Sequence, residues 1–468
     1  MLAVVPNGVG SKALESRIMN SQQEFVLRTV EERDIYFIRL WFTDILGSLK
    51  SVVMSPSELE SAFDEGVGFD GSSVEGFSRI SESDTIAMPD PSTFQIMPAG
   101  EDDSDLRSAR MFCDIMQPDG QPSLVDPRHI LRRQVTEAAN DGFTCMVSPE
   151  IEFFLLHQSS SGADDDVRNL KPTDSGGYFD QTSPFAAPRF RREAMATLEE
   201  MGIATEFSHH ETAPGQQEID LRHADVLNTA DNIMTFRYLI KHVAQKQGVR
   251  ATFMPKPFPQ WQGNGMHTHF SLFEGESNAF HDPDDEFSLS ATAKHFIAGV
   301  LAHANELTAV TNQWVNSYKR LMFGAEAPGS ATWGVSNRSA LVRVPTYRLH
   351  KEESRRVEIR SIDSGMNPYL GYAVILAAGL RGIREGYELE EAAEDNVHQL
   401  TRRERRAMGY RDLPLSLDQA LRLLEQSEFM ADVLGEHVFE FFLRSKWDEW
   451  HAYQEQITSF ELRANLDI

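Results

Sequence analysis

The sequence predicts an α+β protein of two domains, and three observations support this class. The chain has 468 residues, which is long enough for a large core and for more than one domain. Segments with helical spacing alternate along it with segments that have strand alternation. A stretch rich in proline and glycine, "MQPDGQPSLVDP" at residues 116–127, separates a small first group of elements from a larger second group. We therefore expect a flexible tail over residues 1–20, a first domain over 21–120 and a second over 121–468.

The first domain is expected to mix helices and strands. "EFVLRTVEERD" (24–34) has helical spacing, and "SPSELESAFDEG" (55–66) is typical of a capped helix. Runs of aromatic and β-branched residues predict strands, and a glycine-rich loop, "FDGSS" (69–73), lies between them. The predicted strands cover residues 35–44, 46–55, 85–97 and 109–116.

The second domain is larger and continues the alternation of strands and helices, without a visible internal repeat. Residues 159–169, "SSSGADDDVRN", predict an exposed loop. Trp447 and Trp450 lie among charged residues of the last helical segment, so they either cap the core or dock on a neighbouring subunit. Helices are predicted over residues 128–141, 190–201, 224–247, 289–308, 369–385 and 416–456.

Composition excludes several classes of function. The formal net charge of -27 argues against nucleic acid or an anionic membrane as the main partner. No apolar run approaches the roughly 18 residues of a membrane span, and the first residues lack the pattern of a signal peptide, so a cytoplasmic location is expected. Cys113 and Cys145 lie in apolar strand-like runs without CxxC spacing, which predicts reduced core residues.

A pair of glutamates in "SPEIEFFLL" (148–156) is the first sign of a functional site. Residues two apart in a strand lie about 6 to 7 Å from each other and point to the same face of the sheet. Glu150 and Glu152 are therefore expected to point the same way. Two like charges beside an aromatic run lose hydration and repel each other. They need a cation, an arginine or a shared proton.

More metal-type ligands occur on other predicted strands. Glu211 and Glu218 flank a turn signal at residues 213–215, so a hairpin would bring both carboxylates near one end. His267 and His269 alternate in "GMHTHFSLF", and Glu358 lies between apolar neighbours in "RRVEIRSID". Five carboxylates with one or two imidazoles predict a site for two or three cations, and ligands dominated by oxygen favour Mg²⁺ or Mn²⁺ over zinc. A purely structural role remains open for the neighbouring histidines, His209 and His210.

Arginines in three further segments supply positive charge. Several divalent cations together with several guanidiniums are what phosphoryl transfer from ATP needs, because its catalysis is mostly the positioning and neutralisation of phosphate oxygens. The sequence contains neither a P-loop nor a kinase glycine-rich loop, so the nucleotide would be held by another scaffold. The arginines are Arg320, Arg338, Arg343, Arg355, Arg356 and Arg360.

These segments, taken in order, resemble the type I glutamine synthetases over about residues 24–468. The resemblance implies a β-grasp-like amino-terminal domain and a catalytic domain with a curved antiparallel sheet flanked by helices. It also implies active sites between neighbouring subunits of a dodecamer of two hexameric rings. The matching motifs are "FDGSS", "PEIEFF", "HHETAPGQQE", "TFMPKP", "GNGMHTH", "NSYKRL", "EAP", "NRSALVRVP", "RRVEIR" and "NPYL".

The resemblance implies the following ligand sets and nucleotide contacts. One Mg²⁺ or Mn²⁺ ion would be held by Glu152, Glu211 and Glu218, and another by Glu150, His267 and Glu358. Two or three ions are expected in each site, with ATP as the co-substrate. Residues implied to contact nucleotide phosphates or nucleotide are His269, Ser271, Arg343 and Arg355.

The remaining site residues are implied in the same way. Arg320 would hold the α-carboxylate of L-glutamate beside Gly263, while Arg338 and Arg360 steady the transferred phosphoryl group. Glu326 would close over the site as a flap. The ammonium pocket would consist of Tyr178 and Glu211, with Asp70 and Ser73 reaching in from the adjacent subunit; Asp70 helps to remove a proton, and Asp84 is also supplied across that interface.

The implied reaction is chemically coherent. A carboxylate is a poor electrophile, so the γ-carboxylate of glutamate first takes the γ-phosphoryl group of ATP. Ammonium then loses a proton and attacks the acyl phosphate, while the flap excludes water. The products are glutamine, ADP and phosphate.

Two departures from the family pattern keep alternatives open. The glutamate-binding loop commonly contains "NGSGMH", whereas this chain has "QGNGMH" with Gln262 and, before it, Trp261. The alternatives are a γ-glutamyl ligase for methylamine or a polyamine, and a regulatory or structural paralogue; a metal-dependent hydrolase is weaker because the arginines would lack a task. His398 stands where adenylylated members carry the modified tyrosine, which excludes control by adenylylation at that position.

Overall fold

In the computed structural model, the described residues are 9–74, 76, 84–98, 106–158, 170–181, 187–323, 327–346, 351 and 354–468. The chain divides into two compact units. The first contains residues 1–129 and 196–203, and the second contains residues 130–195 and 204–468.

The first unit is built around a mixed sheet with two α-helices, α1 (Val9–Glu32) and α2 (Leu59–Glu65). The strand order is β2-β1-β6-β4-β3, with β5 beside β6. Among the described strands of this sheet, β1 and β6 pair in parallel and the other neighbours pair antiparallel. Buried residues of α1 and the sheet, among them Val26, Leu40 and Met111, form its core. The strands are β1 (Ile35–Thr43), β2 (Leu49–Met54), β3 (Val67–Asp70), β4 (Asp84–Pro89), β5 (Gln95–Ile96) and β6 (Arg107–Met116).

Two expectations for this unit need correction. Helix α1 begins at Val9, so residues 9–20 are helical and do not form the expected tail. The segment lacks apolar periodicity but is rich in helix formers and has no proline, so propensity was the better signal. The single strand predicted over 85–97 is two strands, because Pro91 begins a turn of 3₁₀ helix between β4 and β5.

The second unit contains a ten-stranded sheet, and its main path runs β15-β16-β17-β12-β7-β9-β8. Strands β10 and β11 also pair with β7, and β13 pairs with β12. The pairing is antiparallel, as predicted, except between β15 and β16. The ten strands of this sheet are β7 (Thr144–His157), β8 (Thr205–His210), β9 (Gln216–Leu221), β10 (Ala224–Asp225), β11 (Val249–Thr252), β12 (Met266–Glu274), β13 (Ser277–Asn278), β15 (Trp333–Val335), β16 (Val342–Val344) and β17 (Val357–Ile359). Two further strands, β14 (Ser330–Ala331) and β18 (Arg411–Asp412), pair with each other.

Helices complete the α+β class, which is confirmed. The predicted segment 416–456 is helical but broken, since Ser427 caps one helix and Gly435, with a φ of 79°, separates the next two. None of the described helices is long and apolar enough to cross a membrane. The helices are α3 (Pro127–Asn140), α4 (Ala187–Glu200), α5 (Val226–Lys246), α6 (Ala291–Thr311), α7 (Ser317–Phe323), α8 (Pro368–Glu385), α9 (Arg402–Ala407), α10 (Leu417–Leu424), α11 (Glu428–Leu434), α12 (Glu436–Gln454) and α13 (Ser459–Asn465).

Candidate functional site

The site begins with the register of three neighbouring strands. Glu150 on β7 lies opposite His267 on β12 and opposite Asp220 on β9. Glu152 lies opposite Glu218. The intervening Ile151 is completely buried, because alternate side chains of β7 point to the other face. The strand therefore presents both glutamates on one face, as the sequence predicts.

The first metal-type group consists of Glu150, His267 and Glu358, each of which offers a ligand atom within 4.8 Å of the others. His267 Nδ1 is 3.3 Å from Glu150 Oε2 and 3.9 Å from Glu358 Oε1. His267 Nε2 is buried and has no hydrogen-bond partner among the described residues. Two carboxylates and an imidazole with an unpartnered nitrogen fit a divalent cation.

Cationic side chains surround this first group. Arg343 Nη1 is 2.5 Å from Glu358 Oε2, and Arg360 is hydrogen-bonded to the other oxygen of the same carboxylate. Burial raises the pKa of Glu358, but nearby His269 and Arg360 outweigh it and lower the pKa. Burial also opposes ionisation of Glu150, yet hydrogen bonds with His267 and His269 hold its pKa well below the usual value. Both carboxylates are therefore ready to bind a cation.

The second metal-type group consists of His209, Glu211 and Glu218. His209 Nε2 is 3.1 Å from Glu218 Oε1, and its Nδ1 is 3.6 Å from Glu211 Oε1. The family resemblance implies Glu152 in this set, and the sequence leaves a structural role open for His209. The signal for His209 was present, because it stands two residues before Glu211.

Glu152 lies beside the second group. Its Oε2 accepts hydrogen bonds from the backbone N–H of Gly265 and from Gln216 Nε2, both at 2.9 Å. Burial, together with the charges of Glu211 and Glu218, raises the pKa of Glu152 well above its usual value. A cation placed among these three carboxylates would relieve that repulsion.

Asp220 is an acidic residue that the sequence analysis did not include. It stands two residues after Glu218, on the same face of β9, and lines the same cavity. Burial and the charges of Glu218 and Glu150 raise its pKa to about 11, and burial with the charge of Glu218 raises the pKa of Glu211 to about 7. These raised pKa values mean that the carboxyl groups of this cluster oppose one another's ionisation in the absence of a bound cation.

Members of both groups line a common cavity of about 220 Å³, whereas Glu358 is fully buried and is not among the described residues that line it. Arg320 is 3% exposed and donates to the carbonyl oxygens of Ser361 (2.7 Å) and Arg360 (3.2 Å), which fixes its guanidinium. Gly263 has no room for a side chain, since an added Cβ would lie 2.1 Å from the carbonyl oxygen of Pro255. Predicted site residues that line the cavity are Glu150, Glu152, Tyr178, Glu211, Glu218, Gly263, His267, Arg320, Arg338, Arg343 and Arg360.

Some predicted residues of the second unit lie at the edge of this arrangement. His269 Nε2 is 2.8 Å from Glu150 Oε1, and Arg356 donates to its other ring nitrogen. Ser271 lies two residues further along β12, and Arg355 donates to the carbonyl oxygen of Pro345; neither is among the described residues that line the cavity. Glu326 lies outside the described residues, as do residues 159–169, the predicted loop.

Three predicted residues belong to the first unit. Asp70 and Asp84 lie opposite each other in the antiparallel pairing of β3 and β4. Asp70 Oδ1 accepts a hydrogen bond from the backbone N–H of Ser72. This hydrogen bond caps the 3₁₀ turn Gly71–Ser73. The loop "FDGSS" is therefore a strand end with a carboxylate-capped turn.

Comparison with known families matches both parts of the chain. The catalytic domain of glutamine synthetase matches residues 124–465, and its β-grasp domain matches residues 34–118. The chain is 63% identical over 450 residues to the glutamine synthetase of Mycolicibacterium smegmatis, covering 96% of this chain and all of that protein. It is 43% identical over 443 residues to that of Thermotoga maritima, covering 95% of this chain and 99% of that protein.

Solved structures give the same picture of the fold. The complex of GmaS with ADP has a TM-score of 0.84 and 32% identity, covering 94% of this chain and 99% of GmaS. The glutamine synthetase of Plasmodium falciparum also has a TM-score of 0.84, covering 95% and 98% of the two chains; at 22% identity it supports the fold alone. By its two matched domains and its near full-length relatives, this chain belongs to the glutamine synthetase family.

Proposed function

We propose that the cavity of the second unit is where this chain, an ATP-dependent glutamate-ammonia ligase, joins ammonia to the γ-carboxylate of L-glutamate. The observation that carries the proposal is the meeting of two metal-type groups and four guanidiniums in one cavity. Carboxylates alone would suit many cations. A substrate with several phosphate oxygens accounts for the arginines together with the metal-type groups.

The family depends on ATP and on divalent metal, and we assign Mg²⁺ or Mn²⁺ to the two groups. Glu150, His267 and Glu358 would hold one ion, and Glu211 and Glu218, with Glu152 and His209 beside them, would hold another. Asp220 is a candidate ligand for a third. When bound, such ions neutralise phosphate oxygens during phosphoryl transfer. The raised pKa values of Glu152 and Glu211 support this assignment.

The arginine guanidinium groups of the site would orient the substrates. Arg320, fixed by two carbonyl oxygens, would bind the α-carboxylate of glutamate next to Gly263. Arg338 and Arg360 would steady the transferred phosphoryl group, and the Arg360 guanidinium is held by the backbone carbonyl oxygen of Arg338. Contacts of Arg343, His269, Ser271 and Arg355 with the nucleotide remain predictions.

The ammonium pocket is proposed around Tyr178 and Glu211. Burial and the charge of Glu211 raise the pKa of the Tyr178 phenol, which keeps its hydroxyl protonated beside a carboxylate. Asp70, Ser73 and Asp84 would enter from an adjacent subunit of a dodecamer, with Asp70 accepting a proton from ammonium, and Glu326 would act as the flap. A cytoplasmic location is part of the same proposal.

A second candidate function is ligation of an organic amine. Gln262 lines the cavity, one residue before Gly263, where the family pattern has asparagine. The chain is structurally similar to GmaS, but its higher identity is with proteins named glutamine synthetase. The regulatory alternative is disfavoured by the two metal-type groups, because a non-catalytic subunit has no need of them.

The test is phosphate release from Mg-ATP by the purified chain with L-glutamate, offering ammonium, methylamine, putrescine or no amine. We expect phosphate release coupled to glutamine with ammonium. Turnover with an organic amine but little with ammonium would replace the proposal by the second candidate. Absence of turnover with every amine, in a folded and assembled protein, would favour the regulatory paralogue.

A further inference from the structure

Asp174 joins three separate segments next to the cavity. Its Oδ1 accepts hydrogen bonds from His210 Nε2 at 2.8 Å, from the backbone N–H of Gly215 at 2.8 Å and from the backbone N–H of Gly176 at 3.1 Å. The Asp174 side chain is only 7% exposed. All three donors converge on Oδ1, while Oδ2 is buried without a hydrogen-bond partner among the described residues, so one oxygen atom ties the three segments together.

The first segment that Asp174 fixes is the hairpin with Glu211. Gly215 lies in the turn between β8 and β9 at a φ of 72°, and an added Cβ there would be 2.8 Å from the carbonyl oxygen of Leu155. His210 immediately precedes Glu211, and its Nδ1 is 2.7 Å from the carbonyl oxygen of Glu211. The backbone on both sides of Glu211 is therefore tied to one carboxylate.

The second segment is the loop with Tyr178. Gly176 donates to Asp174, Gly177 donates to Asp180 at 3.0 Å, and the N–H of Phe179 donates to the carbonyl oxygen of His210 at 3.0 Å. Tyr178 is thus held between two anchored neighbours. The loop and the hairpin meet at His210, which is itself hydrogen-bonded to Asp174.

We infer that Asp174 is a positioning residue for the ammonium end of the cavity, where it fixes the spacing between Tyr178 and Glu211. The inference rests on the proposed function, which assigns those two side chains to ammonium. Asp174 is not among the described residues that line the cavity, so it acts through the residues it holds. A pocket for an ion as small as ammonium depends on sub-ångström placement of its walls.

An alternative is that Asp174 only stabilises the fold. A purely structural anchor would lower stability and reduce the amount of active protein, with equal effect on all three substrates. A positioning residue raises the KM for ammonium more than the KM values for glutamate and ATP, because Tyr178 is assigned to ammonium alone, whereas Glu211 also belongs to the second metal-type group. The ratio of KM values therefore separates the two roles.

The experiment uses the full chain in its assembled form with Asp174→Ala and Asp174→Asn. We expect Asp174→Ala to raise the KM for ammonium by about tenfold or more, and to raise the KM values for glutamate and ATP by a clearly smaller factor. Asp174→Asn keeps an oxygen that can accept from Gly215 and Gly176, so it should recover part of the effect. The control is Asp282→Asn, since Asp282 also accepts a backbone N–H, that of Asp284, and does not line the cavity.

Each outcome has a defined meaning. An unchanged KM for ammonium in folded Asp174→Ala, or equal changes for all three substrates, would overturn the inference. If Asp174→Ala does not fold, Asp174→Asn decides by the same ratio. Tyr178→Phe tests the proposed ammonium pocket itself. An unchanged KM for ammonium in Tyr178→Phe would mean that the proposed pocket is wrong. A raised KM for ammonium in Tyr178→Phe, with an unchanged KM in the Asp174 variants, would refute only the positioning role of Asp174.

Discussion

His267 lies opposite Glu150 in the pairing of β12 with β7, and its Nδ1 is 3.3 Å from Glu150 Oε2. The other ring nitrogen, Nε2, is buried and unpartnered among the described residues. Burial and the charge of Arg360 lower the pKa of His267, so the ring is neutral at physiological pH. A neutral imidazole next to an ionised carboxylate is the state in which both bind a cation.

Cation binding should release protons. Burial and the charge of Glu218 raise the pKa of Glu211 to about 7, so in the absence of a cation this carboxyl is partly protonated at neutral pH. A cation binds the carboxylate form and displaces that proton, so the affinity for Mn²⁺ should rise with pH between about 6 and 8. Calorimetric titration in buffers of different ionisation enthalpy measures the number of protons released. Zero protons released across this range would contradict the prediction.

Asp70→Asn should slow the use of ammonium more than formation of the acyl phosphate. The change removes the proposed proton acceptor and leaves the metal-type groups of the second unit intact. Rapid-quench measurement of acyl phosphate, compared with the steady-state rate of glutamine formation, separates the two steps. Equal loss in both steps would argue against a role in deprotonation.

Gly263→Ala should raise the KM for glutamate. The added Cβ would lie 2.1 Å from the carbonyl oxygen of Pro255 and 3.1 Å from Arg320 Cγ, so the loop must shift next to the proposed carboxylate ligand. Overpacking of this kind costs about 1 to 3 kcal/mol. Gly68→Ala is the control, because nothing lies within 4 Å of its added Cβ. A KM for glutamate that changes equally in both variants would show that the contact with Arg320 has no role.

Glu449→Ala should lower the free energy of unfolding by about 1 to 3 kcal/mol, because it removes a carboxylate partner of the buried Lys446 ammonium, although the Glu449 side chain is itself 29% exposed. Lys446 is 1% exposed; its Nζ is 2.9 Å from Glu449 Oε2 and 3.7 Å from the centre of the Trp314 ring. Glu449 Oε1 also accepts the backbone N–H of Val315. Urea unfolding compares this variant with Asp448→Ala, which removes an exposed charge from the same helix. Equal stability of the two variants would mean that the pair contributes nothing.

Strand alternation predicted the central part of the site from sequence alone. It places Glu150 and Glu152 on one face, because side chains alternate along a strand whatever its partner strands are. The grouping of Glu358 with His267 follows from the family resemblance and not from alternation. The same rule applied to His209 and Asp220 would have found two further members. For His209 the sequence leaves a structural role open, and Asp220 lies outside the ligand sets that the family resemblance implies.

Other features depend on contacts between distant segments, which local patterns do not contain. Asp174 is 36 residues from His210 and 41 from Gly215, and its own neighbours in sequence give no sign of either contact. The start of α1 at Val9 follows from the summed helix propensity of its residues. Apolar periodicity does not report this propensity. The opposition of Asp70 and Asp84 needed the register of β3 and β4.

The most direct test of the assignment of the two metal-type groups is the number of Mn²⁺ ions bound by each chain, measured by equilibrium binding with wild type and with Glu358→Ala. We expect wild type to bind at least two Mn²⁺ ions per chain. We expect Glu358→Ala to bind one fewer and to lose most of its ligase activity. Glu274→Ala, at the far end of β12, is the control and should bind as wild type does. Equal numbers of ions and unchanged activity in Glu358→Ala would contradict the assignment of the first metal-type group.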